Sequence, residues 1–265
     1  MELVFLKLGG SVITDKSKPL KTRPEELKRL GKEIAEAVEA GGLRLLVGNG
    51  GGSYAHYYAR QLLSSWGEAR ARLNLLAAKV RWAAARLNGI VVRALISEGL
   101  PAFGFSPSAS AVASGGEILA WDLGLLTKAL QDGVLPVIHG DVLLDLQRGF
   151  SILSTERLFR YLARRLRPTR VIVGTDVDGV YDSDPNTFKT AKKFDAVTAE
   201  HLPLLSGAHE GRIDVTGGMR AKVLELLELS RETGIECEIV NALRPGFIMR
   251  ALLGERGLGT VVAWA

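Results

Sequence analysis

Three glycine-rich turns are spaced along the chain where a backbone could close around an anion. They are Lys7-Leu8-Gly9-Gly10-Ser11, Gly50-Gly51-Gly52-Ser53 and Thr216-Gly217-Gly218-Met219. Without a Cβ, glycine lets backbone N–H groups approach a phosphate closely, and a helix starting there adds the positive end of its dipole. A single Gly-Gly pair is an ordinary turn. Three of them at strand or helix ends are better explained by a polyphosphate, because ligands of open α/β sheets gather outside the carboxyl ends of the strands.

Three lysines stand beside these glycines: Lys7 on an expected strand end, Lys16 after the first turn, and Lys222 in the first turn of a late helix. Ammonium groups so placed suit phosphoryl transfer, which needs charge cancelled on the moving group. Lys7 is the most telling, because a charge within an apolar strand is costly without a partner. His56 follows Gly52-Ser53-Tyr54-Ala55 and is expected in the first turn of a helix, either as a donor to a substrate phosphate or as a helix-cap contact. Thr175-Asp176-Val177-Asp178-Gly179-Val180-Tyr181-Asp182 follows a buried strand, where it could position nucleotide or magnesium, though Asp-Gly is also common turn chemistry. His139, His201 and His209 have no metal-ligand spacing. The Walker phosphate loop is missing, and Gly48-Asn49-Gly50-Gly51-Gly52 lacks the spacing of a dinucleotide fingerprint.

The elements that must hold these residues alternate between apolar runs and segments of helical period, the pattern of a parallel sheet flanked by helices. Strands are expected at Leu3 to Leu8, Leu43 to Val47, Val134 to Ile138, Val171 to Val173, Glu236 to Val240 and Gly259 to Ala263. Pro24 opens a helix with Leu27, Leu30, Ile34 and Val38 on one stripe, closed by Gly41-Gly42. Further helices are expected over Ala69 to Leu87 and Gly218 to Arg231, with an irregular flap from Thr187 to Gly211. No linker divides the 265 residues, so one continuous domain is expected.

Composition narrows the function. Hydrophobic residues are 47% and charged residues 24%, as in an ordinary globular chain, and no apolar run is long enough to span a bilayer. No signal peptide is read at the start, and the single Cys237 cannot form an internal disulfide, so a cytoplasmic home is expected. The net charge of +5 could point to nucleic acid, but the basic residues are dispersed and only 6% of the chain is aromatic. The arginines 157, 160, 164, 165, 167 and 170 run along a helix and its exit, which reads as a solvated face. No nucleic-acid or membrane partner is expected.

Taken in order, these blocks resemble the amino acid kinase superfamily and, within it, the isopentenyl phosphate kinases. The likeness runs through Lys7 to Ser11 with Thr14-Asp15-Lys16, Gly50-Gly51-Gly52-Ser53-x-x-His56, and Leu87-Asn88 to Ser106-Pro107-Ser108. It continues through Gly140-Asp141-Val142, Gly149-Phe150-Ser151-Ile152, Thr175 to Tyr181 and Asp214 to Met219. The resemblance implies an α/β, three-layer αβα sandwich with a mainly parallel central sheet, usually a homodimer. An acceptor-binding part over about 1–165 and a nucleotide-binding part over about 166–265 go with it. The implied activity is transfer from ATP, with Mg2+, to isopentenyl phosphate.

The same resemblance gives Lys7, Leu8, Gly9, Gly10, Ser11 and Gly51 to the transferring phosphates, and Lys16 to the transition state. Asp176, Tyr181, Asp182, Ser183, Asp184, Pro185, Asn186, Gly218 and Lys222 fall to the nucleotide. Gly50, Ala55, His56 and Thr155 fall to the acceptor. Asn49 departs from the usual His, Ala55 from Gly, Ser154-Thr155-Glu156-Arg157 from a Ser-Gly-Asp-Asp-like run, and Arg220-Ala221-Lys222 from Lys-Gly-Lys. Most departures surround the acceptor. A kinase for another small anion, as in the fosfomycin kinases, is the alternative, and a non-catalytic nucleotide sensor is a third reading. The stripe of Leu73, Leu76 and Val80 would line a hydrocarbon pocket or simply pack in the core.

Overall fold

Leu3 and Phe5 turn to one side of the first strand and Val4, Leu6 and Leu8 to the other, and both sides are buried. Such two-sided burial marks the middle of a covered parallel sheet. The structure, a computed structural model, describes residues 1–65, 67, 69–185, 187–205 and 218–264. It begins with β1 (Glu2–Leu8), α1 (Gly10–Ile13), α2 (Pro24–Glu39), β2 (Leu43–Asn49), α3 (Gly52–Ser64) and α4 (Arg70–Ser97). There follow β3 (Ala102–Gly104), β4 (Ala111–Ser114), β5 (Glu117–Trp121), α5 (Gly124–Gln131) and β6 (Leu135–His139). Then come β7 (Asp141–Asp145), β8 (Gly149–Leu153), α6 (Thr155–Leu166) and β9 (Arg170–Thr175). The last elements are β10 (Ala196–Val197), α7 (Gly218–Thr233), β11 (Cys237–Asn241), α8 (Phe247–Leu252) and β12 (Gly259–Val262).

Eight strands form one sheet in the order β10-β12-β11-β9-β1-β2-β6-β3. The six from β11 to β3 are parallel, while β12 runs antiparallel to β11. On the Leu3 and Phe5 face pack α5, α6 and α7, through residues such as Leu126, Phe159 and Leu226. On the other face pack α2, α4 and α8, through Ile34, Leu87 and Ile248. This is the expected three-layer αβα arrangement.

A second sheet, in the order β5-β4-β7-β8, was not legible in the sequence. Its strands have only four or five residues each, with apolar runs too short to read. Asp145 binds its two hairpin turns together. The carboxylate accepts the N–H groups of Gly115 (3.0 Å), Gly116 (2.7 Å), Gln147 (2.9 Å) and Arg148 (2.9 Å) and the hydroxyl of Ser151 (2.6 Å). Val142, Phe150 and Ile152 of this sheet pack on Ala55, Ala59, Leu76 and Val80 of α3 and α4.

Several expectations need correction. The long helix runs on to Ser97, past the expected end at Leu87, because Val91 and Leu95 continue its buried stripe and outweigh the roughly 1 kcal/mol that Gly89 costs. β2 extends through Gly48 and Asn49, which pair with Ile138 and His139 of β6. The arginines of α6 are only partly a solvated face: Arg164 and Arg165 are exposed, whereas Arg157 and Arg160 are turned into ion pairs with α7. Arg160, only 18% exposed in its side chain, lies 3.1 Å from Glu225 of α7, and Arg157 and Arg164 pair with Glu225 and Glu232. Within the expected flap, β10 and a 3-10 turn over Ala199–Leu204 are ordered, while residues 206–211 lie outside the described residues. Asn186, His209 and the Asp214 to Gly217 block lie outside them as well. Among the described residues no helix is long and apolar enough to cross a membrane.

Candidate active site

Period-two alternation along β1 carries Lys7 to the Leu3 and Phe5 face, under the start of α6. Lys7 is 6% exposed and pairs with Glu156. The space for this pairing comes from Gly48, the register partner of Lys7 on β2. A Cβ at Gly48 would stand 2.5 Å from Thr155 Cγ2 and 2.8 Å from Phe159, pushing α6 off the sheet. Ser154 caps α6, accepting the N–H of Arg157 at 3.2 Å, and so places Glu156 in a first turn where a helix favours negative charge.

Lys222, one turn into α7, reaches the same Glu156 oxygen at 3.1 Å. One buried carboxylate therefore holds two ammonium groups. Burial pushes the Lys7 ammonium down to about 8, against the pull of Glu156 and with the added repulsion of Lys222. Burial alone would raise the Glu156 carboxyl, but Lys222 and Lys7 together hold it well below the usual carboxylate range.

Two of the glycine turns meet. A Cβ on Gly10 would strike the backbone of Gly52, and one on Gly50 would stand 2.8 Å from Gly10 N and 3.6 Å from Lys7 Cε. Gly9 donates its N–H to Gly174 O at 3.0 Å, which ties the first turn to the end of β9. The N–H of Gly50 is spent on Leu8 O at 3.0 Å, so the contribution of Gly50 is its missing side chain rather than a donor. Of the third turn, Gly218 and Met219 open α7, while Thr216 and Gly217 lie outside the described residues.

Lys16 sits on a loop held to α3. Thr14 Oγ1 accepts the N–H of Ser53 at 3.0 Å, and Ser53 Oγ donates to Lys21 O at 3.2 Å. The Lys16 ammonium lies 3.2 Å from Asp176, just past β9, and Asp176 also takes a hydrogen bond from Ser11. Burial would raise the Asp176 carboxyl, but Lys16 and Ser11 hold it below its ordinary value.

On the expected acceptor side, His56 lies one turn into α3, its Cδ2 3.3 Å from where a Cβ of Gly51 would be. Ala55 is buried, and its Cβ leaves room only for glycine at position 51. Thr155 is also buried, and its hydroxyl donates to Asn49 O at 2.8 Å. Leu8 is buried and contributes backbone to its turn. The Tyr181 to Pro185 segment forms a loop of its own. Asp182 accepts from Lys192 N and Ser183 Oγ, each at 3.0 Å, and the carbonyl of Asp184 accepts from Thr187 and Phe188. Tyr181 bridges to Lys193, and Asn186 lies outside the described residues. His201 is engaged by Thr198, away from this constellation.

Sequence reasoning missed Glu156, noting it only as a departure from a pattern. The available signal was an acid two residues after a capping Ser, on a helix that faces a lysine-bearing strand. Among the described residues no three His, Cys, Asp or Glu side chains gather as a metal site, and Glu156 and Asp176 are both engaged by lysines.

A parallel sheet with two meeting glycine turns and a lysine pair at its carboxyl end is the arrangement of a phosphate-handling enzyme of the kinase class. The chain belongs to the amino acid kinase family, whose model matches residues 2–241. It is 40% identical over 268 residues to an isopentenyl phosphate kinase of Methanothermobacter thermautotrophicus, with 97% of this chain and 98% of that one covered. The isopentenyl phosphate kinase of Methanocaldococcus jannaschii is 31% identical, with 96% of each chain covered. A solved isopentenyl phosphate kinase structure superposes with a TM-score of 0.85 at 36% identity, covering 98% of this chain and 99% of that one.

Proposed function

We propose that this chain transfers the γ-phosphoryl group of ATP to isopentenyl phosphate, giving isopentenyl diphosphate and ADP. The observation that carries the reading is the Lys7–Glu156–Lys222 cluster beside the Gly10 and Gly50 turns, in a chain with near full-length likeness to isopentenyl phosphate kinases. The new bond joins an acceptor phosphate oxygen to the γ-phosphorus, and the bond to the bridging oxygen of ADP breaks. The acceptor is already an anion, so no strong base is required. Positioning and charge cancellation supply the acceleration.

In this reading Lys7, Gly9, Gly10, Ser11 and Gly51 receive the transferring phosphates, and Lys222 follows the nucleotide. Lys16 leaves Asp176 to meet the charge that develops in flight. His56 holds the acceptor phosphate, and the apolar cluster of Leu76, Val80, Val142 and Ile152 lies on the side of its hydrocarbon tail. Magnesium would arrive on the ATP phosphates, cancelling charge on the β and γ oxygens, with Asp176 as the protein carboxylate at hand. The acceptor part spans about 1–165 and the nucleotide part about 166–265, in a cytoplasmic homodimer.

An acceptor panel with γ-labelled ATP tests the reading: isopentenyl phosphate, longer prenyl phosphates, fosfomycin and simple alkyl phosphates. Labelled isopentenyl diphosphate is the expected product. Transfer to fosfomycin but not to isopentenyl phosphate would move the chain to the alternative kinase, and nucleotide binding without any transfer would leave a sensor. Light scattering of the eluted protein checks the dimer.

A further inference from the structure

Asn88 is a polar residue on the buried side of α4, 5% exposed, in a stripe with Leu87 and Val91. An amide in such a place is unfavourable unless its polar atoms are used. Its Nδ2 donates to Asn49 Oδ1 at 2.9 Å and stands 3.3 and 3.4 Å from the carbonyls of Val137 and Ile138. At its other end, the Oδ1 lies 2.9 Å from where a Cβ of Gly104 would be, a gap only glycine leaves.

The partner, Asn49, is the last residue of β2, fully buried and directly before Gly50-Gly51-Gly52. Alternation along β2 turns it to the face of Leu45 and Val47, toward α4. Thr155 Oγ1 and Gly140 N–H fix its backbone carbonyl at 2.8 and 3.3 Å. With Oδ1 held by Asn88, its Nδ2 donates to the carbonyl of Gly50 at 3.3 Å.

The Gly50 carbonyl and the Gly51 N–H belong to one planar trans peptide. Whatever pins the carbonyl aims the N–H the opposite way. Both flanking residues are glycines, which accept either sign of φ, so an untethered peptide there is free to flip.

We infer that Asn88 is a positioning residue for phosphoryl transfer: through the amide of Asn49 it locks the Gly50–Gly51 peptide with the Gly51 N–H turned out toward the phosphates. Asn88 touches no substrate, and its effect is carried by the relay. This rests on the proposed kinase activity, and the tests separate the two.

Asn88→Leu keeps the volume and removes the relay, and Asn88→Asp keeps the polarity but removes the donor. Both should lower kcat at least tenfold while the KM for ATP stays within threefold. In a double-mutant cycle, Asn49→Ala with Asn88→Leu should lose no more than the worse single variant, since the two act as one unit. An activity-independent readout is the backbone 15N–1H resonance of Gly51, single and sharp in the parent protein and broadened or doubled in Asn88→Leu. An unchanged kcat in a folded variant would overturn the inference, as would a kcat loss with a sharp, unshifted Gly51 resonance. If Asn88→Leu does not fold, Asn88→Asp is read by the same criteria. A parent protein inactive on every acceptor would defeat the kinase reading, while the Gly51 resonance still decides the relay.

Discussion

The Lys222 ammonium stands 3.1 Å from Glu156 Oε1, the oxygen that Lys7 also engages. Two cations from different elements, one on a strand and one on a helix, are thereby held at one spot by a single carboxylate. Glu156→Gln keeps the shape and deletes the charge, leaving two ammonium groups facing each other in a buried site. Breaking a buried pair in this way typically costs about 3–5 kcal/mol. Urea unfolding should show a loss of about that size, and turnover should fall at least tenfold. A variant with parental stability and rate would mean that Glu156 does not organise the lysines.

The low pKa of Lys7, about 8, predicts an alkaline limb in the rate profile. Transfer uses the charged form, which is present below about 8 and lost as the pH rises through that value. The pH dependence of kcat/KM for ATP reports groups of the free enzyme and should fall above about pH 8. In Lys7→Arg, whose guanidinium stays charged, any residual activity should lack that limb. A parent profile that is flat to pH 10 would count against the assignment.

Lys16 is mostly exposed and rests on Asp176, so little of the fold depends on it. Lys16→Ala should leave the melting temperature within a degree or two and nucleotide affinity within a few-fold. Its kcat should fall by about a hundredfold or more, as expected for a group that acts on charge developing in the transition state. Equilibrium binding of a fluorescent ATP analogue, measured beside the turnover, distinguishes this from a binding role; equal losses in both would contradict it.

Asp145 predicts acid sensitivity of the small sheet. Burial would raise its carboxyl, but Ser151 and the N–H groups of Arg148, Gly116 and Gln147 hold it far below the usual range. The folded pKa is depressed, so this stabilisation is complete above the unfolded pKa near 3.9 and is lost as the pH falls through the folded value. Asp145→Asn should cost about 2 kcal/mol at neutral pH and less at pH 3. Urea titrations at the two pH values should show the gap narrowing; a gap of constant size would rule out the carboxylate as the source.

Gly48→Ala tests the seat of α6. The added methyl meets Thr155 and Phe159, and relief requires α6 to shift, carrying Glu156 with it. Overpacking of this kind costs about 1–3 kcal/mol. Activity should fall beyond what that instability explains, measured well below the melting temperature. Full activity would show that the Glu156 position tolerates movement.

How much of this was legible depended on how local the signal is. β1, β2 and β9 could be read because their short apolar runs end at Gly9, Gly48 and Gly174, the mark of strands buried on both faces. Lys7 could be read because a charge in such a run needs a reason. Glu156 could not, since its role depends on α6 landing over Gly48, a contact between residues more than a hundred positions apart. The arginines of α6 misled for the same reason: their partners, Glu117, Glu225 and Glu232, come from β5 and α7. The four-stranded sheet was missed because its strands are short and their pairing rests on Asp145 rather than on apolar periodicity.

The phosphate seat is built on the eight-stranded sheet, whereas Val142, Phe150 and Ile152, next to α3 and α4, belong to the four-stranded one. In the proposed reading the acceptor's hydrocarbon tail would therefore lie against strands that carry none of the phosphate-cradling glycines or lysines, although the two sheets share a core through Ala113, Leu143 and Leu153. On that reading, exchanging the side chains of Val142, Phe150 and Ile152 would change which tail is admitted while leaving the residues proposed to cradle the γ-phosphoryl group in place.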